Sequence, residues 1–543
     1  MSVFEFEGHT LDLKQGRLRN GANDVTLRPK SLALLTYFVT NPGRVISKDE
    51  LIAAVWPNVV VSDDSLSQCL KDIRGTLGPG AEGLIRTVPR RGYLLDEAKL
   101  SVCADDRGAV QPARTAHKPS LAVLPFTNMS GDPEQEFFAD GMTADLITDL
   151  SKASGLSVIA RNSVFTYKGR AVDISDVATR FGVSHIVEGS VRKSGQRVRI
   201  NAQLVAAQGG TPVWAERYDR DLSDIFSVQD DITHSIVDAL KVHLLAQESE
   251  AIRKISTTSS AAYEFYLRGR HYLSLYSLKA YDAAHRLFIK AIELDPGYAR
   301  AYAGASDCCA FRCMWNADVS IEKALELSAQ ATDLDPQLPE AHAARGWALA
   351  VAARYQEAIG SFKRAIALDP MSFEAHHLCG HTFALQGRYA DAVRHFERAI
   401  AIAPDDFQPY GLLSHQYWAL GRQADSVAME RLCLDRVERE LELRPDNQRA
   451  LCFGAFSLAI LGDGARAREW AERALWLDAD DTQVLYNVAS VCALLGDQAR
   501  ALELLERCLP GKHPQMLVWV RHDRDFAALH DNPRFLALVG PSK

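Results

Sequence analysis

Residues 47–95 read SKDELIAAVWPNVVVSDDSLSQCLKDIRGTLGPGAEGLIRTVPRRGYLL. They divide into helix, bent loop, helix, short loop and hairpin. The second helix spans about Asp64 to Leu77 and places Leu66, Leu70, Ile73 and Leu77 at helical spacing, one apolar stripe. Its other face carries Ser67, Gln68, Lys71 and Arg74, all hydrogen-bonding types. Ile85 to Tyr93 then alternates into a hairpin with Arg90 and Arg91 at its tip. A half-polar helix followed by a basic hairpin suits a nucleic-acid duplex. The helix fills the major groove, and the arginines reach a phosphate or the narrow minor groove.

Outward from this stretch, Leu32, Leu34, Leu35, Phe38 and Val39 give a first buried helix, broken at Asn41-Pro42-Gly43. Ser47 and Glu50 have capping-box spacing for the next helix, which Trp56-Pro57-Asn58 ends. Residues 3–28 read as short alternating strands. These separated pieces carry a resemblance: Phe4-Glu5-Phe6 with Leu11-Asp12, LRPKSLALLTYFVTNPGRVIS, ISKDELIAAVW, SDDSLSQCLKDIRGTLG and IRTVPRRGYLL are similar to the winged-helix DNA-binding domain of OmpR/PhoB-type response regulators. The resemblance implies promoter DNA as partner. It implies DNA contact by Ser67, Gln68 and Lys71, with Gln68 and Lys71 as base readers. It implies Arg74, Thr87 and Trp56 as phosphate contacts, Trp56 being equally readable as core, and Arg90 and Arg91 as the wing, with Arg91 in the minor groove. It also implies an RNA polymerase contact at the loop Pro57–Ser62. The helix 65–74 is less basic than this family often is, so dimers on tandem half-sites are expected. No receiver domain precedes the winged helix, so control by aspartyl phosphorylation is not expected.

The chain has 543 residues, too many for one core. Its net charge of −8 argues against a non-specific nucleic-acid coat. Basic charge is instead local: residues 71–93 hold five Lys+Arg against two Asp+Glu. No apolar run is long enough to span a bilayer, and no signal peptide is evident, so a cytoplasmic protein without a membrane anchor is expected. Ten cysteines lie scattered without framework spacing, which fits free thiols in a reducing compartment.

Residues 98–118 are small and polar and read as a linker. Residues 119–247 alternate strands and helices: a strand at 121–126, a helix at 137–152, a strand at 156–159, a helix at 174–181 and a hairpin from 185 to 206. LAVLPF, FFADGMTADLITDLS, HIVEGSVR and VWAERYDRDLSDIFSVQDDI resemble a TolB-like domain. Asp140, Asp145, Asp149 and Asp173 read as solvated helix-face carboxylates. Neither a nucleophile–base pair nor a phosphate-cradling glycine loop accompanies them, so no enzyme is expected.

Residues 261–543 are helical repeats. Gly346, Tyr355, Ala358, Phe362, Ala365 and Pro370 recur 34 residues later as Gly380, Tyr389, Ala392, Phe396, Ala399 and Pro404. This period resembles tetratricopeptide repeats. About six units and a cap near Asp525–Leu538 follow, with a seven-residue insertion within 422–444. In such arrays the first helix of each pair lines the concave face. That register puts Trp347, Val351, His377, His381, His415, Trp418 and Phe456 there, a surface for a protein or peptide partner. Trp347, His377, His381, His415 and Trp418 are the partner-binding candidates. His377 and His381 stand one turn apart but lack a third ligand, and Cys308, Cys309 and Cys313 read as small hydrophobes, so neither metal nor cofactor is expected.

The expected architecture is therefore multidomain. It has an N-terminal winged helix-turn-helix of α+β class (1–97), a linker (98–118), a small α/β TolB-like domain (119–247) and an all-α tetratricopeptide superhelix with its cap (261–543). The resemblance extends to soluble HilA-type one-component regulators more than to CadC/ToxR-type ones, which carry a membrane helix. The expected function is promoter binding with a signal received through protein contacts. The alternative is a repeat scaffold whose TolB-like domain binds a nucleotide or small ligand.

Overall fold

The structure, a computed structural model, describes residues 3–6, 9–12, 17–20, 23–25, 27–40, 43–55, 63–77, 84–88, 92–96, 101–102, 118–170, 172–253, 257–315, 319–509, 517, 520–521 and 523–540. It separates into two compact units, Met1–Thr115 and Ala116–Lys543.

The first unit opens with the antiparallel strands β1 (Val3–Phe6), β2 (His9–Asp12), β3 (Arg17–Asn20) and β4 (Asn23–Val25). Helix α1 (Pro29–Val39), strand β5 (Val45–Ile46), helices α2 (Lys48–Val55) and α3 (Asp63–Leu77), and strands β6 (Ile85–Val88) and β7 (Gly92–Leu95) follow. A short β8 (Ser101–Val102) returns antiparallel to β1, so the first sheet runs β4-β3-β2-β1-β8. The stripe of α3 behaves as its spacing requires. Leu66, Leu70, Ile73 and Leu77 pack with Leu34, Leu35 and Phe38 of α1 and with Tyr93 of the hairpin in one core. The capping box forms in half: the Glu50 amide donates to Ser47 Oγ at 3.2 Å. The Glu50 carboxylate turns away, accepting from the Tyr37 hydroxyl at 2.9 Å and pairing with Arg44. At the start of β7, Gly92 has φ +127°, and a Cβ there would lie 1.9 Å from the Ile46 carbonyl oxygen, so only glycine lets β7 pass β5.

The second unit begins with β9 (Ser120–Val123), β10 (Thr127–Asn128), helix α4 (Glu136–Ser151), β11 (Ser157–Val158), α5 (Arg161–Val164) and α6 (Ile174–Phe181). Long strands β12 (His185–Ser194), β13 (Arg197–Ala206) and β14 (Pro212–Asp221) and helix α7 (Ile225–Ala239) complete a mixed sheet ordered β11-β9-β12-β13-β14. The sequence reading did not delimit β14 or α7. Strand β14 is an edge strand on which only Tyr218 is buried, so it has no apolar alternation to read.

After α8 (Ala246–Arg253) the chain forms helix pairs. They are α9 (Ser260–Leu273) with α10 (Leu278–Leu294), α11 (Ala299–Trp315) with α12 (Ile321–Leu334), α13 (Pro339–Val351) with α14 (Tyr355–Leu368), and α15 (Phe373–Leu385) with α16 (Tyr389–Ile402). Then come α17 (Gln408–Ala419) with α18 (Gln423–Leu443), α19 (Gln448–Leu461) with α20 (Gly464–Leu477), and α21 (Thr482–Leu494) with α22 (Gln498–Cys508), before the terminal α23 (Pro533–Val539). The described residues thus hold seven pairs rather than about six. The turn of the last pair is legible as Leu495-Gly496-Asp497, 34 residues after Leu461-Gly462-Asp463, although Ala489, Gln498 and Leu505 stand where the pattern has Gly, Tyr and Phe. The repeat logic itself holds: a Cβ on Gly346 would lie 2.7 Å from the Phe362 ring, so the glycine is what lets the paired helices close on the aromatic. The inserted seven residues lengthen α18 to 21 residues, against 14 in α14 and α16, two extra helical turns.

The array closes on itself. The Leu278 amide donates to Asp481 at 3.2 Å, Lys279 pairs with Asp478 at 2.7 Å, and the Trp315 and Tyr486 rings meet edge to face at 5.7 Å. The α/β domain is bonded to both early and later pairs. Ser163 Oγ donates to the Ile402 carbonyl at 2.9 Å, Arg180 pairs with Asp405, and Lys193 pairs with Glu264 at 2.8 Å.

Candidate nucleic-acid interface and repeat cavity

Helix α3 is anchored by one face and leaves the other to solvent. Ser67, Gln68 and Lys71 are exposed. Gln68 donates to Asp72 at 3.1 Å, and Asp72 also accepts from Ser31 and pairs with Arg28 at 3.5 Å, so the amide is oriented from behind. Lys71 makes no ion pair among the described residues, which leaves its ammonium to solvent or to a ligand. Arg74 is engaged differently. Its guanidinium donates to the Ile85 carbonyl at 3.1 Å and to the Thr87 hydroxyl at 3.4 Å, tying α3 to β6. Part of its hydrogen-bonding capacity, and that of Thr87, therefore holds the helix against the hairpin. Trp56, the loop Pro57–Ser62, Arg90 and Arg91 lie outside the described residues.

In the second unit the first helices of the pairs line a cavity of about 1370 Å³, with α4, α5 and the β11 segment contributing one wall. All five partner-binding candidates border it, with unequal access. Trp418 is 45% exposed, with the Arg524 guanidinium 4.4 Å above its ring. His381 and His415 are half-buried, His415 stacked on Phe456 at 4.8 Å. Trp347 and His377 are buried. Trp347 packs on Phe311 at 5.3 Å and His377 stacks on Phe373 at 5.2 Å, because each helix has neighbours on two sides. Burial, followed by the charge of Arg449, lowers His381 to about 4, and burial beside Arg524 lowers His415 to about 3. These imidazoles are neutral at physiological pH. Among the described residues no group of three or more His, Cys, Asp or Glu is placed to hold a metal. Cys308, Cys309 and Cys313 are buried, and burial pushes the Cys309 thiol up to about 11.

Asp140, Asp145 and Asp149 are not the solvated side chains their helix positions suggested, their side chains being mostly covered and ion-paired, and of the four only Asp173 is exposed. Asp145 of α4 is buried and accepts from the Tyr263 hydroxyl and from Gln229 at 3.4 Å. It also pairs with Arg300 of the array at 3.1 Å, both side chains being about nine-tenths buried. Asp173 caps α6 through the Ser175 amide at 2.7 Å, Asp149 pairs with Lys152 at 2.7 Å, and Asp140 pairs with Lys168. The arginines on the cavity wall, Arg161, Arg270 and Arg449, were not singled out from the sequence. They stand far apart along the chain, and no local spacing joins them.

Known proteins share these parts. Residues 22–95 match the family described as "Transcriptional regulatory protein, C terminal", residues 116–239 match "HilA/YgeH-like transcriptional regulator, second domain", and residues 321–372 and 343–407 match "Tetratricopeptide repeat". The chain is 45% identical over 254 residues to "Putative adenylate cyclase 3" of Rhizobium meliloti, which covers 46% of this chain and 43% of that protein. It is 23% identical to "Transcriptional regulator HilA" of Salmonella typhi over 67% of this chain and 64% of that one. It is 33% identical to "Phosphate regulon transcriptional regulatory protein PhoB" of Escherichia coli over 17% of this chain and 41% of that one. The matches thus span less than half the length of the cyclase and just under two thirds of HilA. The chain carries an OmpR/PhoB-type winged-helix domain, a HilA-like second domain and tetratricopeptide repeats.

Proposed function

We propose that this protein is a transcription regulator that binds promoter DNA through α3 and the β6–β7 hairpin. The observation that carries the reading is the outward face of α3. Ser67, Gln68 and Lys71 are exposed on a helix whose opposite face is locked into the core. Lys71 and Gln68 read bases, Arg74 and Thr87 brace the helix against the hairpin near the phosphates, and Arg90, Arg91 and Trp56 complete the contact. Two copies occupy tandem half-sites, and the Pro57–Ser62 loop meets RNA polymerase. The protein acts in the cytoplasm without a catalytic step. No helix among the described residues is long and apolar enough to cross a membrane. The TolB-like α/β domain and the repeats receive the signal on the concave face, where Trp418, His381 and His415 are the reachable candidates and Trp347 and His377 their support.

Electrophoretic titration of the chain on its own upstream DNA at fixed salt tests the reading. Lys71→Ala and Arg91→Ala each weaken specific binding by roughly 1–3 kcal/mol and leave random-sequence binding less affected. Wild-type affinity in the double variant would refute the docking.

A second reading, a repeat scaffold whose second unit binds a nucleotide, is favoured by the 45% identity to a protein named as a cyclase. Thermal melting with ATP or cyclic AMP decides: no shift at millimolar nucleotide removes it.

A further inference from the structure

Two arginines reach the cavity of the repeat array from different parts of the second unit. Arg161 comes from α5 of the α/β domain and Arg270 from α9, and both border the lumen. Among the described residues neither forms an ion pair. Arg161 stacks on the Phe165 ring at 4.5 Å, and its Nε has no hydrogen-bond partner. Among the described residues Arg270 donates only to the Tyr266 hydroxyl, at 3.2 Å. Both are half-buried. After burial itself, the Arg270 charge is the largest influence holding Arg161 down to about 10, while Arg270 is raised, by Tyr266 first and with Glu374 and Asp145 adding. Half-buried cations on one cavity wall favour an anion between them.

Of the carboxylates whose charge reaches the two arginines, Asp140 is paired with Lys168 and Asp145 with Arg300. Burial raises Asp307, which also feels Arg270, to about 8, towards the neutral acid. Glu374, on the wall near the arginines, is exposed and forms no ion pair among the described residues. Other polar groups also point into the space without partners. The Trp347 indole N–H and His377 Nδ1 border the cavity, belong to residues 2% and 8% exposed, and have no hydrogen-bond partner among the described residues. Unpaired buried polar groups at a cavity wall mark a place for a ligand's polar atoms or for water. The apolar part is equally built. Tyr276, a non-glycine residue held at φ 53°, sets its ring against Arg449, whose guanidinium also faces Phe453. The left-handed backbone is that of the turn within a repeat pair, which Ala353, Gly387, Gly421, Gly462 and Gly496 adopt in other pairs.

We propose that this lumen binds a small molecule bearing an oxyanion, a carboxylate or a phosphate, on an apolar body. The anion sits between Arg161 and Arg270, and the body lies against Tyr276 and Trp347. Closure of the array on itself favours a compact occupant over a long partner helix, which needs a groove open at both ends. The volume exceeds the few hundred Å³ up to about 1000 Å³ of usual small-molecule sites, so ordered water would share it. The proposal deepens the reading in which the concave face receives the signal, and it joins the α/β domain to the array through the ligand itself.

The test uses the full chain and the fluorescent probe 8-anilinonaphthalene-1-sulfonate, an apolar body with one oxyanion. Decanoate, phenyl phosphate and inorganic phosphate serve as competitors, and decanol as the uncharged control. Wild-type protein should bind the probe, decanol should not displace it, and decanoate or phenyl phosphate should, which of the two identifying the head group. Arg161→Gln and Arg270→Gln should weaken probe binding at least tenfold, and the lysine variants at either position only a few-fold. Arg473→Gln, outside the lumen, should bind as wild type. The glutamine variants should melt no earlier than wild type, because neither arginine holds an ion pair among the described residues. Displacement by decanol as readily as by decanoate, or unchanged binding in both glutamine variants, would overturn the proposal. A melting temperature lowered in parallel with lost binding, and not rescued by lysine, would show a structural role and overturn it as well. DNA titration of the same variants keeps the two readings apart, since a protein that fails here and still binds its operator loses only this proposal.

Discussion

Helix α3 and helix α15 both carry polar and aromatic groups that the sequence marks for recognition, and the fold treats them oppositely. Helix α3 is covered on one side, so Leu66, Leu70, Ile73 and Leu77 sink and Ser67, Gln68 and Lys71 stay in water. Helix α15 lies between its pair mate and its neighbours, and His376, His377, Cys379 and Thr382 are buried on it along with Phe373, Leu378 and Phe383. The difference is one of environment. On a one-sided helix a polar residue opposite the stripe meets solvent. In a closed array the same residue meets another helix or the lumen, and its chemistry changes with burial.

The largest break in this contrast lies in the second unit. Asp145→Ala should destabilise it by about 3–5 kcal/mol, measured by urea unfolding, because Arg300 is left buried without its carboxylate. A cost near that of a surface substitution would mean that water already reaches the pair.

Acid sharpens the contrast next. His381 and His376 are lowered to about 4, by burial first and then by nearby positive charge, and His415 to about 3. The unfolded chain binds these protons near pH 6.5, and the folded array does so only near 4 or below. Stability is therefore whole above about 6.5 and falls as pH drops towards 4, by at most roughly 3 kcal/mol for each imidazole. Melting of the Ala116–Lys543 unit between pH 7.5 and 4.5 checks the slope, and His381→Phe should flatten it. A flat profile in wild type would show these imidazoles to be solvated.

On α3 the expected effect moves from folding to binding. Lys71→Ala should shift the melting temperature negligibly while weakening operator binding by about 1–3 kcal/mol. Arg74→Ala should do some of both, since it removes the bonds to Ile85 and Thr87, and equal melting of the two variants would argue against that brace. Ser47→Ala should cost about 1 kcal/mol of stability through the lost cap on the Glu50 amide, read by denaturant titration. The smallest effect is expected at Trp418→Ala. At 45% exposure it should alter stability by under about 0.5 kcal/mol, and a larger loss would place the ring in the core.

Periodicity and turn chemistry by themselves determined the parts of this protein. The leucine stripe of α3, the break at Pro42, the basic hairpin turn before Gly92 and the 34-residue recurrence from Gly346 to Pro404 are local patterns, so the helices, hairpins and most repeat pairs follow from them. Strand β14 escaped because the edge strand has no buried face to alternate. What only tertiary structure decided is which distant residues meet. Leu278 meets Asp481, Asp145 meets Arg300, and Arg161 joins Arg270 at a common wall, at sequence separations where no local spacing leaves a trace. Burial then set the charge of the imidazoles and carboxyls there, because it is the removal of water around a group, and not its identity, that shifts its proton equilibrium.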